Sequence, residues 1–598
     1  MAKTSRAIPK TMGLETEFGI IAPETSMGTF AGEHLFDGIK EEWIKKDFAV
    51  AWDATERLGF KNSLSLEDVL HHRYLKNLVW CRKANFLLAN GARFYLDGMH
   101  PELSTPIASD PRTLVIWNRA GYLWLDILRR QYLQECGINF RIFRNNVGAE
   151  GDSSMLGEIG EESRNSFACH FNVTVDRRVE LSRLVKLSIP FFTVLQPIHG
   201  QGKVGSDFCG QSVDFQISQR ADFIECDASG NTMHYRPIYN LRDVPYADRT
   251  RFRRVHIIPF DSNMLELPEY LKAGLVAIFY MMIEDGVLDE RFEINNPVSK
   301  YHEISWDLEL KTTVWLVNQR KTRTVLDCLW YYCGLFWEYL EDYHPHNLVL
   351  KDVVMRFAGI LEKLSDRDWY GLFGELDWVT KKIIIQAQLA KKGKSWQDPL
   401  AHLMDLDYSD NNHEGGVFYS KIHSHEDVVR IATDDEIKSA IEEPAPGRSR
   451  WMVETIRRYQ DSVVASDYWQ RVVVRNETSC LRKFETLLFD NPYTPWDERL
   501  ADGLFFLSLP EFIQKVRELG IATTGEQGLI EGPDDIWISD EEAADPPGLK
   551  THGPRAIDST LSGSDIVRSW KNMGVARGRI VDPRMGEGRL DLPRRESL

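Results

Sequence analysis

The sequence predicts an α+β fold, and two observations carry that expectation. Strand-like and helical stretches mix through roughly the first four hundred residues without the strict alternation that a doubly wound parallel sheet requires. The chain is also long and ordinary in composition: 598 residues, 43% hydrophobic, 27% charged and 11% aromatic. That is the profile of a globular protein with room for about three to five domains, and it excludes wholesale disorder, collagen and a small disulfide scaffold. Asp and Glu total 89 against 72 Lys and Arg, a formal net charge of −17. So acidic a chain lacks the overall basic surface expected of a duplex-DNA or anionic-membrane binder. The 8 cysteines are scattered with no C-x-x-C pair, which argues against a zinc ribbon, a redox motif or a secreted framework. No apolar signal core follows the first residues. The most membrane-like run, 274–283, is about half the length a bilayer needs and reads as a buried helix. The expectation is a cytoplasmic protein.

In chain order, the runs 93–96, 140–143 and 255–258 read as strands, and 113–131, 268–283 and 324–343 as helices. Between 434 and 458 two helical pieces are split by Pro444, Pro446 and Gly447. This places a main domain at 1–433 and a small C-terminal domain at 434–530. The remaining 531–598, acidic and then rich in Gly, Pro and Arg, lack hydrophobic periodicity and read as a flexible tail.

Generic motifs say little. Gly200, Gly202 and Gly205 match G-x-G-x-x-G, but no helix start follows to hold a pyrophosphate. The pairs His423/His425 and His344/His346 have too few flanking ligands for a metal and read as loops. The segment Met12 to Ile20 is more informative. At period two, Glu15 and Glu17 share one strand face while Leu14, Phe18 and Ile20 take the other. Two carboxylates about 7 Å apart repel unless water or a cation separates them, so the pair is either an exposed charged face or a set of hard oxygen ligands for Mg²⁺. A second stretch opens with the turn Asn90-Gly91 and alternates Arg93, Tyr95 and Asp97 against Phe94 and Leu96, then runs into His100, Pro101 and Glu102. Guanidinium, phenol and carboxylates in that order suit a nucleotide–metal site.

Together these residues resemble the Pup ligase/depupylase family, enzymes that attach or remove the small protein modifier Pup. The likeness runs in patches from Met12 to about Val474. It includes Arg144-Asn145-Asn146, Ser218 to Asp222, Arg236 to Asp243, Phe252 to His256, Asp261 to Met264, Leu376-Asp377-Trp378 and Asp405 to Asp410. The resemblance implies a glutamine-synthetase-like fold, a mainly antiparallel curved sheet packed by helices with a small C-terminal domain, and a site using ATP and Mg²⁺. By position it implies Glu15, Glu17, Tyr95, Glu102 and His170 as metal ligands, and Arg93, Thr105 and Trp469 as ATP contacts. Asp97 becomes the catalytic carboxylate, with Arg220, Arg242 and Arg254 as phosphate or substrate contacts. Pup or a Pup-like modifier and its conjugates, with a link to the proteasome pathway, would be the partners.

Three features resemble the depupylase branch: the long stretch between Gly13 and Asn90, with a gating loop at about 48–76; the short spacing from Asp97 to His100-Pro101-Glu102; and the runs 115–121 and 215–225. Gly13 to Gly19 and Tyr95 to Asp97 are similar instead to the ligase. The implied activity is hydrolysis of the amide at Pup's C-terminal Glu or Gln. The alternatives are ligation through a γ-glutamyl phosphate, or an ATP-binding adaptor that holds a Pup-like tail without cleaving it. Two motifs depart from the family. Where it has Tyr-Gly-x-His-Glu-Asn, this chain places Phe at 171, after an apparent insertion at 151–164. Where it has Arg-Asp-Glu-Pro-His-Ala-Asp, this chain carries Val244 and Tyr246.

Overall fold

Alternation at period two dictates the central element. In β1 (Met12–Glu17), Met12, Leu14 and Thr16 point to one side, and Gly13, Glu15 and Glu17 to the other. The computed structural model describes residues 3–21, 49–50, 85–97, 100–136, 139, 141–148, 165–167, 169–208, 210–232, 235–288, 292–466, 470–475 and 484–524. Trp469, the insertion 151–164, the tail 531–598 and all of the loop 48–76 except Ala49 and Val50 lie outside these residues.

β1 sits in the middle of a nine-stranded sheet. The other strands, in chain order, are β2 (Ala49–Val50), β3 (Asn85–Leu88), β4 (Arg93–Asp97), β5 (His100–Ser104), β6 (Cys169–Asp176), β7 (Cys226–Ser229), β8 (Pro237–Asn240) and β9 (Phe252–Ile257). Their spatial order is β7-β8-β9-β6-β1-β5-β4-β3-β2. All pairs are antiparallel except β7 with β8. A mainly antiparallel sheet packed by helices is therefore what forms, as the sequence predicts.

One face of the sheet is apolar and covered. Leu14, Phe94, Leu103, Phe171, Val173, Val255 and Ile257 are buried in a core shared with α1 (Pro111–Cys136), α2 (Leu181–Val194) and α3 (Glu266–Glu284). Gly121 brings α1 close: a Cβ there would stand 2.5 Å from Leu103 Cδ2. α1 starts earlier than its periodicity suggests because Asp110 caps it, accepting from Thr113 N–H at 2.9 Å just ahead of Pro111. α3 contains the run 274–283 and is buried on every side, as its unbroken apolar sequence requires. No helix among the described residues is long and apolar enough to cross a membrane. α4 (Val325–Tyr343) begins at a capping box between Thr324 and Asp327 and packs with α5 (Leu348–Asp366) outside α3. The glycines flank a two-residue strand, Lys203–Val204: Gly202 and Gly205 take φ of 83° and 73°, and a bend rather than a helix follows.

A second core gathers Trp451, Met452, Val472, Val474, Leu487, Phe512 and Val516. It is built from α7 (Arg448–Arg458), α8 (Leu509–Glu518) and a four-stranded sheet of β10 (Val463–Ser466), β11 (Arg471–Arg475), β12 (Phe484–Leu488) and β13 (Thr523–Thr524). α6 (Asp434–Glu442), grouped with this region by sequence, instead puts Ile437, Ala440 and Ile441 into the first core against α1. The change of core falls at the Pro444–Gly447 break rather than at 434.

Phe171 lies on the apolar face, with its ring centroid 6.3 Å from that of Phe260. The departure at this position therefore removes nothing from the opposite, polar face, because period two turns 171 away from 170 and 172. Phe171→Glu should destabilise the protein by about 3 kcal/mol or more in urea denaturation, since a carboxylate would be buried without a partner. Phe171→Leu should lose only about 1–2 kcal/mol. A Phe171→Glu variant as stable as wild type would show that the position reaches the polar face.

Candidate functional site

The polar face is assembled by register. Glu15 stands opposite His170 on β6 and Ser104 on β5, and Glu17 opposite Glu102. Asn172 pairs with His256 and Thr174 with Arg254 across β6 and β9. Arg93 faces Ser104, and Tyr95 faces Glu102. Cross-strand partners share a side of the sheet, so charged residues from five strands converge.

Glu15 is the hub. Its Oε2 lies 3.6 Å from His170 Nδ1 and 3.4 Å from His256 Nε2, and its Oε1 lies 3.3 Å from Arg254 Nη1. Arg254 Nη1 also donates to Asn172 Oδ1 at 3.1 Å. His170 Nε2 reaches Glu17 Oε2 at 3.8 Å, and the His170 and His256 rings meet edge-on at 5.0 Å. Burial alone would raise the Glu15 carboxyl; the His170 and His256 rings and the Arg254 charge hold it well below the usual carboxylate range. Burial, reinforced by Arg254, pushes the His256 imidazole down to about 3 against the pull of Glu15. Next to this hub, Tyr95 donates its hydroxyl to Glu102 Oε1, Ser104 Oγ lies 3.4 Å from the same phenol, and the Arg93 guanidinium covers the Tyr95 ring at 3.7 Å.

The structure thus brings together Glu15, Glu17, Arg93, Tyr95, Glu102, His170 and Arg254. Thr105 follows β5 and accepts from the Leu14 N–H through Oγ1 at 3.0 Å. Asp97 closes β4 opposite His100. Arg242 follows β8, its N–H donating to Asn240 Oδ1. Arg220 stands deeper, fully buried, with its N–H groups on the Ser166 and Cys169 carbonyls and on Ser166 Oγ. No role was expected of His256 or Asn172 from the sequence. The signal was present: Arg254 and His256 alternate on one face of β9, as His170 and Asn172 do on β6.

Glu15, His170 and His256 each offer one donor atom within 4.8 Å of the others. Neither ring nitrogen of His256 has a hydrogen-bond partner among the described residues. Glu17 and Glu102, directly opposite and both buried, would repel without positive charge nearby. Carboxylate oxygens and imidazole nitrogens with unsatisfied buried capacity suit a divalent cation. The hollow over this face is lined by Gly13, Glu15, Ser104, Thr105, Asn172 and Arg254 from the sheet, and by Pro245, Tyr246, Arg448 and Pro492 across from it.

Thr105 has a structural task whatever it binds. Thr105→Val removes the acceptor of the Leu14 N–H and should lower stability by about 1–3 kcal/mol in urea denaturation. Thr105→Ser should keep most of it; equal stability of the Val and wild-type proteins would show that the bond is dispensable.

Comparison with known proteins agrees with this geometry. The family described as Pup-ligase protein matches residues 10–473. A depupylase of Acidothermus cellulolyticus is 30% identical over 442 residues, covering 73% of this chain and 85% of that protein. A Pup–protein ligase of Acidimicrobium ferrooxidans is 32% identical over 446 residues, covering 73% and 93%. The solved structure of the Pup ligase PafA in complex with ADP superimposes with a TM-score of 0.61 at 25% identity, covering 77% of this chain and 94% of that one. On the family match, the shared fold and these relatives, the chain belongs to the Pup ligase family, which includes both ligases and depupylases.

Proposed function

We propose that this cytoplasmic protein is an ATP- and Mg²⁺-dependent amide hydrolase of the depupylase type. Its substrate would be Pup, or a Pup-like modifier, joined through its C-terminal Glu to a substrate lysine or ending in Gln. The observation that carries this reading is the convergence of Glu15, Glu17, Glu102, His170, Arg93 and Arg254 on one sheet face. The ADP bound to the related ligase supports a nucleotide site. Glu15, Glu17, Tyr95, Glu102 and His170 would hold the cation, and Arg93, Thr105 and Trp469 the nucleotide. Arg254, which lines the hollow, would contact phosphate or a carboxylate, with Arg220 and Arg242 as further candidates. The Mg²⁺–nucleotide group, when bound, supplies positive charge and phosphate oxygens beside the reacting carbonyl.

In this reading Asp97 is the catalytic carboxylate, on the strand that carries Arg93 and Tyr95. It attacks the side-chain carbonyl of the modifier's last residue, or takes a proton from a water that does so. The C–N bond then breaks as the lysine amine, or ammonia from a terminal Gln, takes up a proton, from protonated Asp97 in the water route or from solvent in the direct route. In the direct route a water then hydrolyses the anhydride and frees the Asp97 carboxylate. Arg93 and Arg254 steady the negative charge that develops on oxygen. The short Asp97–Glu102 spacing and the long stretch between Gly13 and Asn90 favour hydrolysis over ligation. A ligase, passing the γ-phosphate to the modifier's glutamate, is the second reading, favoured by the pattern Gly13 to Gly19 and by Tyr95 to Asp97.

Titration calorimetry of the full chain with ATP and Mg²⁺ should give saturable binding. Glu15→Ala and Glu102→Ala should weaken it about tenfold or more while the protein stays folded; unchanged affinity in both would remove the proposed site. With a Pup–protein conjugate and ATP, wild type should release the substrate protein. Asp97→Asn keeps the shape of the carboxylate but not its charge, and should slow release on the order of a thousandfold or more. Conjugate formation from free modifier by wild type, without release, would decide for the ligase; cleavage by Asp97→Asn at the wild-type rate would exclude Asp97 as nucleophile or base.

A further inference from the structure

The loop between β8 and β9 carries Tyr246, which lines the hollow over the polar face. It follows Val244 by two positions, in the motif where the resemblance would put Glu and His. Its backbone is left-handed, with φ of 45°, a conformation that side chains with a Cβ adopt only where the surroundings impose it. The surroundings here come from the second core. Arg448, at the start of α7, donates to the Tyr246 carbonyl at 2.6 Å and to the Phe489 carbonyl at 3.3 Å. Two residues on, the Asp248 N–H donates to the Asp490 carbonyl at 2.9 Å. The loop is thus fastened to the C-terminal region, and Tyr246 is directed into the hollow.

There its ring meets Arg254, with the guanidinium carbon 5.2 Å from the ring centroid. That guanidinium joins Glu15 at 3.3 Å to Asn172 at 3.1 Å, while its buried Nε has no hydrogen-bond partner among the described residues. Arg254 is consequently gripped on two sides: by the hub of the polar face through Nη1, and by an aromatic face. An imidazole, smaller and titrating near neutrality, would offer less area and, when protonated, would repel the guanidinium.

We propose that Tyr246 is a positioning residue: its ring face fixes Arg254 against Glu15 and thereby sets how this site receives an anionic ligand. The functional half of this inference rests on the nucleotide reading above; the Tyr246–Arg254 contact does not. The full-length protein tests both through Tyr246→Ala, Tyr246→His and Tyr246→Phe, made alone and in an Arg254→Met background. Unfolding midpoints in urea, without nucleotide, should be non-additive for Tyr246→Ala and Arg254→Met. ADP affinity by calorimetry with Mg²⁺ present should fall about tenfold for Tyr246→Ala and return to within about threefold of wild type for Tyr246→Phe, with Tyr246→His between them. In the Arg254→Met background Tyr246→Ala should weaken ADP no further. In turnover of conjugate, Tyr246→Ala should raise KM for the nucleotide and lower kcat, since Arg254 also steadies the developing charge, and Tyr246→Phe should restore both. Equal losses in both backgrounds, or a Phe variant as weak as Ala, would overturn the proposal. If wild type binds no ADP, the nucleotide reading fails, and the unfolding midpoints decide the contact: non-additive values keep it, additive values remove it.

Discussion

Glu15 holds a carboxylate at the centre of a nine-stranded sheet, largely shielded from water, and the candidate site is organised around neutralising it. A charge in that position is tolerable only with partners close by. Here the partners come from β6 and β9, strands that lie far from β1 in sequence. His170, His256 and Arg254 each approach within 3.6 Å of one of its oxygens. Their positions follow from register: a slip of one residue in β6 would turn His170 and Asn172 away and bring Phe171 onto the polar face.

The apolar side keeps that register. Leu14, Leu103, Phe171 and Ile257 are buried against the helices, and Gly121 allows α1 to lie close on Leu103. Sheet and helices are packed too tightly to let one strand slide past the next. The polar side is closed by the C-terminal region, through Arg448 and through backbone bonds such as that from Asp248 to Asp490. Its two faces thus do different work, with shape held on one and charge arranged on the other.

Much of this was legible in the chain because a strand writes its two faces as alternate letters. The runs Met12 to Glu17 and Arg93 to Asp97 can be assigned to polar and apolar sides from their alternation alone. His256 and Asn172 were harder. Each sits in a short alternating run whose meaning depends on which strand lies next to it, and pairing between residues more than eighty positions apart leaves no local trace. Phe171 was misleading for the opposite reason: a motif compared letter by letter does not say which letters face inward. Likewise α6 looked like the start of a new domain because a proline-rich break follows it. Its apolar stripe, completed only by packing against α1, belongs to the first core.

The placement of β1 has a further consequence for biosynthesis. The strand that occupies the middle of the sheet is made before the other strands of that sheet, yet its neighbours β5 and β6 follow much later, and β9 ends only at Ile257. Until β5 and β6 have been made, the nascent chain presents a strand with open edges and a pair of carboxylates on one side. Contacts so distant in sequence slow folding, and exposed edges invite association with other chains. The two carboxylates of β1 oppose such association, because like charges on neighbouring copies of the strand repel.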